Sequence, residues 1–146
     1  MFPALGWAQV SYTQICFQKH CFHVETAKTE PERIKGLQGR KSLGRDEGML
    51  FIFETSERHG FWMKDTLLPL DIIWLDADKR IVEIIPRVPP CVADPCPVYA
   101  PKSTALYVLE INAGMAAALG IKAGQQAECE EVKISASRIY LTDRNK

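Results

Sequence analysis

Apolar residues come in short runs broken by polar, proline- and glycine-bearing stretches, the pattern of a β protein rather than of long helices. Gln9 to Phe17 and Cys21 to Thr26 read as strands, with Gln18-Lys19-His20 as the turn between them. Gly48 to Phe53 is a compact apolar strand, and the polar stretch Glu54 to His59 reads as a loop or one helical turn. Ile72 to Leu75 and Arg80 to Ile85 flank Asp76-Ala77-Asp78-Lys79, the pattern of a hairpin. Ala105 to Ile111 and Gln125 to Ile134 supply later strands. Helix signals are few. Thr29 with Glu32 three residues on forms a capping box, and Pro31 suits a first turn. A short helix should follow with Ile34 and Leu37 facing inward, curtailed by Gly36 and Gly39. Asn112 then caps a second small helix, Ala113 to Leu119, closed by Gly120. The expected architecture is mainly β (α+β): a single small domain with a curved or barrel-like antiparallel sheet and two short helices.

Composition narrows the field. At 146 residues the chain suits one domain able to bury roughly two-thirds of its surface. Eighteen basic and eighteen acidic residues cancel, so there is no electrostatic footprint for nucleic acid. No apolar run approaches the roughly 20 residues of a membrane-spanning helix. The domain is expected over residues 9–134 as a monomer. Met1 to Ala8 is apolar, with Gly6 and Ala8 at the spacing of a signal-peptidase site. It reads either as a signal-peptide remnant or as an apolar first segment. Residues 135–146 form a tail whose apolar content is mostly Ile139-Tyr140-Leu141.

Four of the five cysteines form two pairs of equal spacing, Cys16 with Cys21 and Cys91 with Cys96. The prolines around Cys91 and Cys96 exclude helix or central strand, and a turn at Asp94-Pro95 brings the two within disulfide reach. Cys16 and Cys21 would face each other across a hairpin. Two alternatives stand beside the bridges: one four-thiolate zinc site, at unusual ligand spacing, or free thiols in a reducing compartment. Cys129 is left over as a core thiol of the last strand. Bridged pairs point to an extracytoplasmic, periplasmic or secreted, location.

The stretch Gly60 to Asp76 sets Lys64, Asp65, Thr66 and Asp71 into an apolar run. Unpaired buried charge is expensive, so Lys64 and Asp71 should converge on one polar pocket with an arginine close by. Trp62 is expected in the packed core, or, if exposed, as a ligand platform.

Several ordered blocks carry a resemblance: Arg33-x-x-Gly36-Leu37-x-x-Arg40, Gly48-Met-Leu-Phe51-x-Phe53, Phe61-Trp-Met-Lys64-x-Thr66-x-x-Pro69-Leu-Asp71, Cys91-x4-Cys96-Pro97-x-Tyr99 and Leu109-Glu110-x-x-x-Gly114. From about Ile15 to Val132 the chain resembles the domain of unknown function 192 family, uncharacterised protein family 0127. The resemblance implies one small domain, often exported, with no assigned role. Asp65 stands where that family usually has Asn, Gln38 where it has Met, and Gly124-Gln125 where it has Gly-Asp.

The polar members of these blocks, Arg33, Arg40, Lys64, Thr66, Asp71 and Glu110, are the candidate site residues, with Trp62, Trp74 and Tyr99 as aromatic partners. One reading has them line a cleft for a small anionic or sugar-like ligand, since guanidinium groups fork onto carboxylates and rings stack on apolar faces. That makes a non-catalytic binding module for an unidentified small molecule or protein, with no cofactor and no metal. A second reading has them only as internal pairs that pin the fold. A third makes Phe2, Trp7 or Trp74 an exposed patch for partner docking. A fourth is a hydrolase-type enzyme using Lys64 with Asp71 or Glu110 as acid and base. No nucleophile-elbow, phosphate-loop or histidine metal motif supports the last.

Overall fold

The computed structural model describes residues 9–135. The apolar segment 1–8, with Phe2 and Trp7, and the tail containing Ile139-Tyr140-Leu141 lie outside the described residues. Seven strands run in chain order as β1 (Gln9–Phe17), β2 (His20–Ala27), β3 (Glu47–Glu57), β4 (Leu70–Leu75), β5 (Ile81–Val88), β6 (Ala105–Asn112) and β7 (Glu128–Ser135). Two helices interrupt them, α1 (Glu30–Lys35) after β2 and α2 (Met115–Leu119) after β6. All strands join one sheet in the order β5-β4-β6-β3-β2-β1-β7.

Five of the pairings are antiparallel, but β2 and β3 run parallel, so the sheet is mixed. Parallel neighbours need a crossover connection, and residues 28–46, which contain α1, supply it. β3 runs through to Glu57, so the polar stretch after Phe53 is strand rather than loop. The predicted hairpins both form. Cys16 pairs with Cys21 across β1 and β2. In the β4–β5 turn, the Asp76 carboxylate accepts from the backbone N–H of Asp78 and Arg80, each at 2.9 Å.

The sheet is curved and does not close. Its edges are β5 and the far side of β7, yet the chain entering β7 meets the start of β5. There Ile81 N–H donates to Gln125 C=O and Gly124 N–H to Ile81 C=O, both at 2.8 Å. Curvature gathers one core from every strand on the inner face, including Ile15, Phe22, Leu50, Ile73 and Leu109. A second core lies on the outer face, where Leu37, Phe51, Met63, Ile72 and Trp74 pack under α1 and the loops. β4 is buried along its whole length because it is covered on both faces.

The capping box forms as read: Glu32 N–H donates to the Thr29 hydroxyl, and Thr29 N–H to the Glu32 carboxylate. α1 then stops at Gly36, whose φ of 46° is left-handed. So short a helix turns Leu37 into the core but leaves Ile34 63% exposed, contrary to its expected inward position. α2 also differs. It begins at Met115, and Asn112 sits in β6, donating to the carbonyls of Leu43 and Gly44. Gly120 does close α2 in the left-handed conformation.

Candidate functional site

A cleft of about 450 Å³ opens on the outer face between α1 and the segment 60–66. Its floor comes from adjacent strands. Phe51 and Phe53 lie two apart on β3 and share one face, and Glu110 of β6 stands on the same side of the sheet. Gly36 lets α1 descend onto this floor; a Cβ there would stand 3.2 Å from the Phe51 ring. The opposite wall is Phe61, Trp62 and Thr66. Phe61 is the aromatic hub, set edge-on to Phe51 at 4.9 Å, Phe53 at 6.1 Å and Trp74 at 6.2 Å between centroids. Two backbone hydrogen bonds of 2.7 Å to Tyr99 fix this wall, and Gly39 N–H donates to Asp65 C=O to tie the two walls together. Asp65 is left-handed at φ 54°, a conformation that Asp and Asn tolerate best after glycine.

Glu110 is the exceptional group. It is 4% exposed and flanked in the sheet by Met49 of β3 and Ile72 of β4, both apolar and on its own face. Among the described residues no side-chain hydrogen bond or ion pair reaches its carboxyl group. Burial alone pushes its pKa from 4.5 up to about 8, so at neutral pH it stands mostly as a protonated acid at the cleft's base. Thr66 also lines the cleft and is buried, its hydroxyl donating to Lys64 C=O at 3.2 Å. Arg33 lines the cleft with its guanidinium engaged, donating to the carbonyls of Lys28 and Ile52 and lying 5.0 Å above the Phe53 ring.

The remaining candidates stand elsewhere. Asp71 is fully buried on the inner face, so it lies across the sheet from Glu110. Its carboxylate accepts from the backbone N–H of Arg87 at 2.9 Å, Gly114 at 3.0 Å and Ala116 at 2.9 Å. Asp71 therefore does what Asn112 was expected to do, capping α2 while tying it to β5. Lys64 does not converge with Asp71. Its ammonium lies 4.0 Å from Asp94 in the proline loop and 5.4 Å from the Trp62 ring. Arg40 pairs with Glu25 outside the cleft. Tyr99 buttresses the wall from behind without lining the cleft.

Of the two tryptophans, Trp62 takes the exposed alternative rather than the packed core, and Trp74 neither lines the cleft nor forms an exposed patch. Trp62 is 46% exposed at the cleft's mouth, whereas Trp74 is fully buried and donates its indole N–H to His59 C=O. Reading the sequence missed Phe51, Phe53 and Phe61 as lining residues. The alternation of Met49, Phe51 and Phe53 marked one face, but apolar residues in a strand look alike whether a core or a cleft covers them.

Both cysteine pairs stand at disulfide distance, Cys16–Cys21 at 2.05 Å and Cys91–Cys96 at 2.14 Å between sulfurs. Cys129 is the one unpaired cysteine, half-buried in β7, and burial raises its pKa, which makes it a poor nucleophile. It borders a wider depression of about 810 Å³ near β1, β2 and β7. Every charged residue lining that depression is solvent-exposed or half-exposed, so it holds nothing comparable to Glu110.

Comparison with known proteins places the chain. The family model for domain of unknown function 192, described as an uncharacterised ACR, matches residues 13–129. A UPF0127 protein of Thermococcus gammatolerans is 30% identical over 107 residues, which cover 70% of this chain and 63% of that protein. The chain thus spans less than two-thirds of that relative's length. A UPF0127 protein of Pyrococcus abyssi is 33% identical over 100 residues, 65% of this chain and 78% of its own. Two crystal structures share the fold. One, from Sinorhizobium meliloti and described as a candidate transcription regulator, has a TM-score of 0.74 at 30% identity, covering 86% of this chain and 96% of its own. The other, a protein of unknown function from Novosphingobium aromaticivorans, has a TM-score of 0.73 at 36% identity, covering 88% and 90%. With its family model spanning most of the described residues, the chain belongs to the domain of unknown function 192 family, that of the UPF0127 proteins.

Proposed function

We propose that the protein is a non-catalytic binding module whose cleft between α1 and the 60–66 segment receives a small molecule. One observation carries this reading: Glu110, a buried carboxyl with no partner among the described residues, stands at the base of an open cleft. Polar groups that serve only the fold are normally hydrogen-bonded, as Asp71 is. A group left unsatisfied where a ligand can reach it is a binding group in waiting. The surrounding rings supply apolar contact area for such a ligand.

An anionic ligand finds less support, because Arg33 and Arg40 are engaged by protein groups and Lys64 lies outside the cleft lining near Asp94. Lys35 is solvent-exposed on α1 rather than at the cleft's base. The cleft lining contains no histidine, serine or cysteine to serve as base or nucleophile beside Glu110, which favours binding over catalysis. Two bridged cysteine pairs favour an oxidising, extracytoplasmic compartment. Regulation of transcription is not carried over from the Sinorhizobium relative, since this chain's charge is balanced.

Exposed Ile34 and Trp62 at the mouth favour a second reading, a docking face for a partner protein. Amide chemical-shift mapping separates the two. Choline, a neutral monosaccharide and a small carboxylate are each titrated into isotope-labelled protein. A small-molecule cleft should respond at Gly36, Phe61, Thr66 and Glu110 together. Shifts confined to the wider depression, or none with any probe, would count against the cleft.

A further inference from the structure

We infer that the ligand is a compact organic cation of the alkylammonium class, its charge set against the Glu110 carboxylate and its carbon groups against the Phe51, Phe61 and Trp62 rings. This rests on the cleft being a binding site and names what it binds. The fold leaves Glu110 between Met49 and Ile72 with no cation paired to it among the described residues, so an incoming cation supplies the missing partner. Aromatic faces attract cations, and side chains here already show it: Arg33 lies over Phe53 and Lys64 over Trp62.

The alternative is a hydroxylated, sugar-like ligand, which needs several fixed donors and acceptors. The cleft offers few. The Thr66 hydroxyl already donates to Lys64 C=O, and Arg33 is committed to two carbonyls. Glu30 and Lys35 are solvent-exposed on α1 and Gln38 is half-buried, so the deeply buried group among the rings is the Glu110 carboxyl, which suits an ammonium better than a polyol. The charged groups lining the cleft are Glu30, Arg33 and Lys35 of α1 and Glu110 of β6. β3 contributes only Phe51 and Phe53 to the lining, and segment 60–66 contributes no charge, since Lys64 turns toward Asp94. Arg33 and Lys35 are the cations that oppose a positive ligand; Lys35 is solvent-exposed on α1, and the bonds of Arg33 to Lys28 and Ile52 hold it at the Phe53 side.

Protonation supplies a signature. The free carboxyl titrates near 8, and a permanently charged ligand binds its ionised form. Choline affinity should therefore rise about tenfold from pH 7 to pH 9, with one proton released per ligand at the lower pH. Calorimetry on the oxidised full chain tests this, using choline and its uncharged carbon isostere, dimethylbutanol. Choline should bind more tightly than the isostere, and only choline should gain with pH. Glu110→Gln should erase choline's advantage. Trp62→Ala, at an exposed position that should leave the fold intact, should weaken choline several-fold. Equal affinity for the isostere at pH 9, or choline binding unchanged by Glu110→Gln, would overturn the cation. A monosaccharide that shifts the cleft amides where choline does not would overturn the cation and leave the cleft standing. Silence from every probe would remove both.

Discussion

Two carboxyl groups buried in neighbouring strands, Asp71 and Glu110, have opposite circumstances. Asp71 accepts from three backbone N–H groups, and Glu110 receives no bond from the described residues. Asp71→Ala would strand three buried donors and should cost about 3 kcal/mol or more in a denaturant melt. Lys64→Met, by contrast, breaks only a long exposed pair and should change stability by less than about 0.5 kcal/mol. Glu110 makes stability depend on pH in a defined direction. Folded, it keeps its proton up to about 8, whereas the unfolded chain releases it near 4.5. The folded state binds more protons between those values, so stability falls as pH rises through that window. Glu110→Gln removes the loss. It should match the parent below the window and exceed it above by a few kcal/mol, roughly 1.4 for each pH unit the window spans. A difference that does not grow with pH would contradict the burial. That Asp71 is buried was legible from the apolar run that holds it, although the same run holds Lys64, which is half-exposed. Glu110 stood out only as a polar member of the resembling blocks. The partners of Asp71 were not legible, because they are backbone groups in turns that no side-chain pattern records. Likewise, hydrophobicity alone could not tell Trp62 from Trp74.

Elements were legible where a local rule sets them. The capping box at Thr29 and Glu32 needs only a three-residue spacing, and Thr29→Ala should cost about 1 kcal/mol by thermal melting. The β1–β2 and β4–β5 hairpins needed only polar turns between apolar runs. The parallel pairing of β2 with β3 had no such sign, because α1 is too short to announce a crossover. Gly48 marks where β3 and β6 press together; a Cβ there would lie 2.5 Å from the Glu110 carbonyl oxygen. Gly48→Ala should therefore destabilise the centre of the sheet, and amide exchange in β3 and β6 should speed up more than in β1 and β7.

For the whole molecule, the two bridged cysteine pairs are what supports the proposal of a domain outside the reducing cytoplasm. Unreduced protein should label at one cysteine after denaturation and at five after reduction, since only Cys129 is unpaired. Labelling of all five without reductant would remove the support for an oxidising compartment. Among the described residues the Glu110 carboxyl has no partner at the base of an open cleft, and the central proposal is that a ligand supplies one. Carbon-13 titration of the Glu110 side chain tests it most directly, in the free protein and again with saturating choline. The predicted midpoint is about 8 when free, falling once choline is bound. A free midpoint near the ordinary 4.5 would mean that the carboxyl is already solvated or paired, and it would contradict the claim.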